Sequence, residues 1–427
     1  MDGRRRSSAD VSLAGKVPTL AGDNGWIVAE QLARRRRWFV ALFLVLEQRG
    51  LLDATARAAC ECVLAMPRER QDQLVWHPAF TILQREAMAA QFEGRPLPDL
   101  GARVWLMALP AALGANPTLS TRFALPAGGF AKLPLAGVGV CAQRGRPLAV
   151  EVGGGTTRFA SGGQAIAELP ADWLADRAAG VDRPMPRTPA VWVDPLLPPS
   201  TCLLDATTPE YAAVLADTAV LDAHVRDDTS EEIVPIAEAQ VAAAADDFAE
   251  ALRTIQVASP TDLDDVSAFT RAVVPFRGTG FDSFTRNDCP GALFIHWSPG
   301  DVWWNAEHLV HENGHARLTA IQEVCPLWLN PPDAIYPSPW RRDPRPIEGL
   351  CQAVYVFYLT AAWLERSIAC FPEAEPRLLP YLRAQLVKLA QGESVIREHA
   401  QLSDAGRAFF GELDAAIARL RGVWSAA

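Results

Sequence analysis

Lysine is almost absent from this 427-residue chain: it occurs only at Lys16, Lys132 and Lys388, and the other basic residues are arginines. The formal net charge is -10. Nucleic acids and anionic lipid surfaces require clustered positive potential, which this composition does not offer. We therefore expect neither nucleic acid nor a membrane among the partners of this protein.

Dense cysteine spacing and long apolar runs are also missing. The eight cysteines are scattered, unlike those of a disulfide scaffold, and we expect reduced thiols that mostly pack in the interior. The first apolar run, Trp38 to Leu46, is too short to span a bilayer, and the polar start of the chain does not resemble a signal segment. These features predict a cytoplasmic protein. The basic run from Arg34 to Arg37 leaves a surface anchor as the alternative.

What is present indicates an α+β fold that is predominantly α-helical. Residues 1–24 lack periodicity and predict a mobile tail, whereas residues 25–125 are rich in Ala, Leu, Arg and Glu and predict a helical N-terminal unit. Residues 126–205 consist of short apolar runs between glycines and prolines, which predict a small strand-rich unit. Residues 206–427 predict a helical C-terminal unit that binds metal.

Local signals mark several turns and helix starts. Gly153 to Gly155 has no phosphate-loop lysine after it and predicts a hairpin turn. Capping residues predict helix starts at Thr208 and Ser259, and a last helix that begins after Ser403 and reaches about residue 424.

The main chemical motif is His311-Glu312-x-x-His315. It lies on a predicted helix that begins at Ser298 to Asp301, where Ser298 can cap and Asp301 complements the helix dipole. Histidines four residues apart project from one helical face and can converge on one metal ion, with Glu312 beside them. Gly314 leaves room above such an ion. His308 is too far along the axis from His315 to share it, and we expect it to support the site or to pack.

A third protein ligand must come from another segment. Glu348, in the first turn of a helix that begins near Pro346, is the preferred candidate because a carboxylate is a good ligand for a hard metal ion. Gln352, one turn later, is the alternative. In the proline-rich stretch between the two helices, Arg341 or Arg345 could clamp the carboxylate of a cosubstrate, or form only an ordinary ion pair.

Five tryptophans surround these segments and could form a peptide groove, although core packing is the expected role for most of them. They are Trp297, Trp303, Trp304, Trp328 and Trp340.

Residues 288–366 resemble the bacterial HExxH-type peptide-modification proteins, which are 2-oxoglutarate-dependent peptide β-hydroxylases of ribosomal natural-product pathways. The resemblance lies in the motif with its Leu309-Val310 lead, in the Trp340-Arg341-x-Asp343-Pro344-Arg345-Pro346 loop, and in the following helix. It implies Fe(II) at the motif, 2-oxoglutarate as cosubstrate, a precursor peptide as substrate and Glu312 as a proton-handling group. Members often have a histidine where this chain has Gln352.

Two other functions fit the same residues. A metallopeptidase would use Zn(II) to activate water, with Glu312 as the general base. A peptide-binding protein that has lost turnover is the third possibility, because of the departure at Gln352.

Overall fold

The structure, a computed structural model, describes residues 17–20, 25–95, 97, 99–125, 130–141, 146–183, 190–217, 233–278 and 282–424. Of these residues 60% are helical and 16% lie in strands, which confirms the predicted α+β, mainly helical class. The chain divides into a larger unit, Leu32–Ala316, and a smaller unit, Met1–Gln31 with Arg317–Ala427. Most of the predicted tail, residues 1–16 and 21–24, lies outside the described residues.

The N-terminal region is helical, as predicted. Its helices are α1 (Gly25–Gln48), α2 (Ala54–Ala65), α3 (Arg68–Trp76), α4 (Pro78–Glu93) and α5 (Leu100–Ala115). Helix α5 is apolar on almost every face and is buried along most of its length, as expected for a central core helix. Gly101 lets it approach α2 closely, because a Cβ atom there would lie 2.4 Å from the backbone nitrogen of Ala56.

Two small antiparallel sheets follow. Their strands are β1 (Thr121–Leu125), β2 (Phe130–Leu133), β3 (Val138–Cys141), β4 (Leu148–Gly153), β5 (Thr156–Ser161), β6 (Gln164–Pro170) and β7 (Val191–Val193), with α6 (Ala171–Ala178) before β7. One sheet has the order β1-β4-β5-β6 and the other β2-β3-β7. The β4-β5 connection is the predicted hairpin turn, in which Gly154 and Gly155 have φ of 59° and 79°.

A mixed sheet leads to the metal motif. Its region contains β8 (Leu203–Leu204), α7 (Pro209–Ala216), β9 (Val234–Pro235), α8 (Val241–Ala258), α9 (Pro260–Phe269), β10 (Ala272–Arg277), β11 (Ser283–Phe284) and β12 (Ala292–His296). The order is β11-β12-β10-β8, and β9 also pairs with β10. The central strand β10 is parallel to β8 and β12 and almost wholly buried, as its apolar sequence requires. Helix α10 (Val302–Val324) follows β12.

The smaller unit contains the hairpin β13 (Ile335–Tyr336) and β14 (Arg345–Pro346), and then α11 (Ile347–Cys370), α12 (Glu375–His399) and α13 (Asp404–Trp424). Among the described residues α11 is the one helix that is long and apolar enough to cross a membrane. However, 61% of its most apolar window is buried inside the protein, as in a core helix of a soluble protein.

The predicted helix starts are confirmed with one difference in chemistry. Ser259 Oγ accepts from the backbone N–H of Asp262 at 3.3 Å, and Ser403 Oγ accepts from that of Gly406 at 3.0 Å. Thr208 precedes α7 as predicted, but its side chain makes no cap; its hydroxyl donates to Asp205 Oδ2 at 2.5 Å. The hydroxyl is therefore used in a buried polar cluster, which also contains Lys132, Asp194 and Thr207.

Candidate metal centre

Helix α10 carries the motif and begins slightly later than the sequence suggests. The prediction that Ser298 could cap it is wrong: Asp301 Oδ1 accepts from the backbone N–H of Trp304 at 3.0 Å. The backbone of Ser298 instead binds the side chain of Asn305, donating to Oδ1 at 3.2 Å and accepting from Nδ2 at 2.9 Å. This amide closes the turn between β12 and α10, since it satisfies two backbone groups that would otherwise lack partners.

The three motif side chains converge, as predicted. The rings of His311 and His315 have centroids 5.1 Å apart and are inclined by 69°. One ligand atom from each of His311, Glu312 and His315 lies within 4.8 Å of the other two. Ligand atoms around a tetrahedral zinc ion lie about 3.3 Å apart, given bonds of about 2.0 to 2.1 Å. The two imidazoles can therefore face one ion, with the Glu312 carboxylate beside it.

Glu312 is the most buried member of the cluster, with 2% of its surface exposed. Its Oε1 accepts a hydrogen bond from Ser283 Oγ at 2.6 Å, whereas its Oε2 has no hydrogen-bond partner among the described residues. Burial raises the pKa of this carboxyl, although His315 and Ser283 oppose the rise. A buried carboxylate oxygen without a partner costs free energy unless a cation or proton meets it. The donor set therefore fits a divalent metal ion.

Ser283 is a site residue that sequence reasoning missed. It precedes Glu312 by 29 positions and is brought to it by β11, which pairs antiparallel with β12 immediately before α10. No local pattern around a serine in a two-residue strand indicates such a contact. Only the order of the strands in the sheet reveals the contact between Ser283 and Glu312.

His308 packs on Trp304, one of the two roles predicted for it, and lies outside the cluster of His311, Glu312 and His315. Its Nδ1 lies 2.8 Å from Glu307 Oε2 and 2.9 Å from the carbonyl oxygen of Trp304, and its ring stacks on that indole at 4.2 Å. Burial lowers the pKa of His308, but the Glu307 carboxylate outweighs this effect and raises it to about 9. The ring is therefore an imidazolium at neutral pH, which does not bind metal.

The buried face of α10 is fixed in the larger unit by Asn313. Its Oδ1 accepts from the hydroxyl of Thr270 at 3.0 Å, and both side chains are almost fully buried. Thr270 directly follows α9. This contact fixes the rotation of α10 about its axis and thereby the direction in which the two histidines project. Gly314 is buried in the same turn, and its role above a metal ion stays a prediction.

The proposed third ligand lies in the smaller unit. Glu348 occupies the first turn of α11, as predicted, and its side chain is exposed. The alternative ligand, Gln352, donates from Nε2 to Thr319 Oγ1 at 3.4 Å. The ligation of a metal ion by either residue stays a prediction.

The proline-rich stretch before α11 is a hairpin rather than a helix, as its prolines indicate. Arg341 is exposed, and Arg345 pairs with Asp343, with 3.1 Å between Nε and Oδ2. Trp340 anchors the hairpin: its Nε1 donates to Gln385 Oε1 at 3.0 Å, and its ring stacks on Phe357 at 4.9 Å. The binding of a carboxylate by either arginine stays a prediction.

The tryptophans divide into two groups. Trp297 and Trp328 are buried core residues, as expected, with 3% and 7% exposure, and Trp297 Nε1 donates to Asp247 Oδ2 at 2.8 Å. Trp303, Trp304 and Trp340 are partly exposed. Trp304 donates from Nε1 to the carbonyl oxygen of His296 at 3.2 Å, which ties the start of α10 to the end of β12.

No family model matches this chain. A search of curated proteins also returns no match.

Proposed function

We propose that this chain is an iron- and 2-oxoglutarate-dependent hydroxylase that acts on the β-carbon of a residue in a ribosomally made precursor peptide. The convergence of His311, Glu312 and His315 carries the proposal. The resemblance to HExxH-type peptide-modification proteins selects this reaction among those that such a cluster supports. We propose a cytoplasmic location, since a precursor peptide is made there.

The two histidines would hold Fe(II) as neutral imidazoles, with Glu348 or Gln352 as the third protein ligand. Two histidines and one carboxylate with open positions are the ligand set of many non-haem iron oxygenases. Bound iron, with 2-oxoglutarate and dioxygen, supplies an oxidant able to hydroxylate an unactivated carbon. Arg341 or Arg345 would bind the distal carboxylate of 2-oxoglutarate by a bidentate contact.

Glu312 would accept or donate a proton beside the metal rather than complete the ligand set. Its Oε1 is held by Ser283, which leaves Oε2 as the reactive oxygen. Because burial raises its pKa, the carboxyl takes up a proton more readily than an exposed glutamate does. Ser283 thus fixes the direction of the group, while its hydrogen bond opposes the rise in pKa that burial causes.

The test is to incubate the protein with Fe(II), 2-oxoglutarate, air and a candidate precursor peptide, and then to measure the peptide mass and the succinate formed. We expect one added oxygen atom per peptide and one succinate per hydroxylation. His311→Ala should abolish both products, and His399→Ala, at a partly exposed histidine of α12, should retain them. If the iron-loaded protein forms no succinate with any tested peptide, the proposal is contradicted.

A zinc metallopeptidase is the second candidate, and the environment of Glu312 favours it specifically. A buried glutamate with one fixed and one unpaired oxygen is suited to take a proton from a metal-bound water. The same incubation with Zn(II) in place of Fe(II) would then give peptide fragments. Glu312→Gln should abolish cleavage while the zinc ion stays bound.

A peptide-binding protein without turnover is the third candidate. The contact of Gln352 with Thr319, at the position where related proteins often have histidine, is the observation that favours it. Peptide binding with neither oxygen insertion nor cleavage would support this function. Gln352→His should then raise the affinity for Fe(II), since imidazole is a better ligand than an amide.

A further inference from the structure

A cavity lies within the larger unit, on elements that carry none of the proposed metal ligands. Its volume is about 310 Å³, which corresponds to about ten waters of bulk liquid and is at the lower end for small-molecule sites. Helices α4, α5 and α7 and strands β1 and β2 form its walls. The lining side chains are those of Glu86, Arg103, Leu106, Met107, Leu125, Phe130, Lys132, Pro134, Pro209, Glu210 and Ala213.

Most of the wall is apolar and is shaped by specific contacts. Leu106, Met107 and Leu125 are buried core residues whose side chains also face this space. The ring of Phe130 can lie against β3 because residue 139 is glycine: a Cβ atom there would be 2.6 Å from Phe130 Cζ. The cavity therefore offers a surface for an aliphatic or aromatic body.

The polar part of the cavity is acidic. Arg103 donates from one terminal nitrogen to Glu86 Oε2 at 2.7 Å and from the other to Glu210 Oε1 at 3.1 Å. Burial lowers the pKa of Arg103, but the two carboxylates outweigh it and raise the pKa. Two carboxylates against one guanidinium leave an excess negative charge at the wall.

Lys132 does not cancel this charge, because its ammonium is used elsewhere. It donates to Asp194 Oδ2 and to Thr207 Oγ1, and it lies 3.5 Å from Asp205 Oδ1. Both aspartates are fully buried. The cluster compensates the lysine internally, so Lys132 contributes mainly its alkyl chain to the cavity.

We propose that this cavity binds a primary ammonium group carried on a short aliphatic chain. The ammonium would contact the carboxylates of Glu86 and Glu210, and the chain would pack on Leu106, Met107 and Phe130. An organic anion would have to compete with two carboxylates for Arg103 and would be repelled by both. Free alkylamines and the lysine side chain of a peptide both carry a primary ammonium group on an aliphatic chain.

The test is calorimetric titration of the whole protein with n-pentylamine and, separately, with Nα-acetyl-lysine N-methylamide. Saturable binding of either compound supports the proposal, and the tighter one identifies the source of the ammonium. Pentanoate, which reverses the charge on a similar chain, and pentanol, which removes it, should not bind. Absence of saturable binding by both amines, or equal binding of pentanoate, overturns it.

Two variants connect binding to this cavity. Glu210→Gln keeps the shape but removes one carboxylate, and it should weaken amine binding about tenfold, as expected for a lost hydrogen bond to a charged group. Ala213→Phe should block the cavity from the exposed side of α7, and Ala212→Phe, exposed but outside the lining, should not. Amine binding unchanged by both Glu210→Gln and Ala213→Phe would refute this location. None of these results depends on bound metal.

Discussion

Replacement of Lys132 by Met should destabilise the protein by an amount that depends on pH. Lys132 Nζ binds Asp194 and Thr207 and lies near Asp205, and the lysine is 4% exposed. Without the ammonium, Asp205 keeps the backbone N–H and hydroxyl donors of Thr208. Asp194 keeps the donors Trp192 Nε1 and Thr207 Oγ1 but loses the ammonium bound to its carboxylate, and it becomes the costlier group.

The magnitude follows from the buried charge. Removal of one partner from a buried ion pair costs about 3 to 5 kcal/mol. In the wild type, burial raises the pKa of Asp194 to about 7, although Lys132 opposes the rise. In Lys132→Met the carboxyl should stay protonated to higher pH. The variant then binds one more proton than the wild type above pH 7, and the destabilisation should grow by about 1.4 kcal/mol per pH unit there.

In the wild type, the contribution of Asp194 to stability also falls as the pH rises. A carboxyl whose pKa is raised on folding stabilises the folded state at low pH, and this contribution is lost as the pH rises from about 4 through about 7. The contribution of Asp194 to wild-type stability should therefore fall across this range, whereas the additional loss in Lys132→Met should appear between about pH 7 and pH 8.5 and reach about 2 kcal/mol there.

Urea-induced unfolding at pH 6, 7 and 8.5 tests the reasoning. Lys388→Met removes the other described lysine, which is partly exposed on α12, and should change the free energy of unfolding by less than about 0.5 kcal/mol. Lys132→Met with Asp194→Asn removes both charges and should lose the pH dependence. A destabilisation below about 1 kcal/mol, or one that is equal at all three pH values, would refute the account of the cluster.

Three further predictions concern the metal, the smaller unit and the core. His311→Ala and His315→Ala should each weaken Fe(II) or Zn(II) binding by more than about 100-fold, measured as metal retained after dialysis; retention of one tightly bound ion would contradict the ligand assignment. Burial raises the pKa of Glu393 to about 7, so its stabilising contribution is lost as the pH rises through that value, and Glu393→Gln should raise the melting temperature at pH 8 but not at pH 5. Gly101→Ala should destabilise by at least about 2 kcal/mol in urea unfolding, because the new methyl group would overlap the backbone of Ala56; an unchanged midpoint would show that α5 can shift.

The parts of the site that sequence predicts are those fixed by helical periodicity. His311 and His315 are separated by four residues, and any helix brings such a pair to one face. Helix α10 was predictable because it contains apolar residues and is preceded by a capping residue. The cap is Asp301 rather than Ser298. The two residues compete for one role within a single turn, and propensity does not separate them.

The contacts that sequence does not predict are those fixed by strand order and by charge balance. Ser283 reaches Glu312 only because β11 pairs with β12, and a two-residue strand has too few residues to show alternation. Lys132 and Asp194 are 62 positions apart and meet inside the protein. An isolated lysine in an apolar strand indicates a buried partner but not its identity, because any carboxylate that the fold brings near would serve. The pairing of buried charged residues thus depends on the fold more than on local sequence. Substitution of these residues therefore tests the fold most directly.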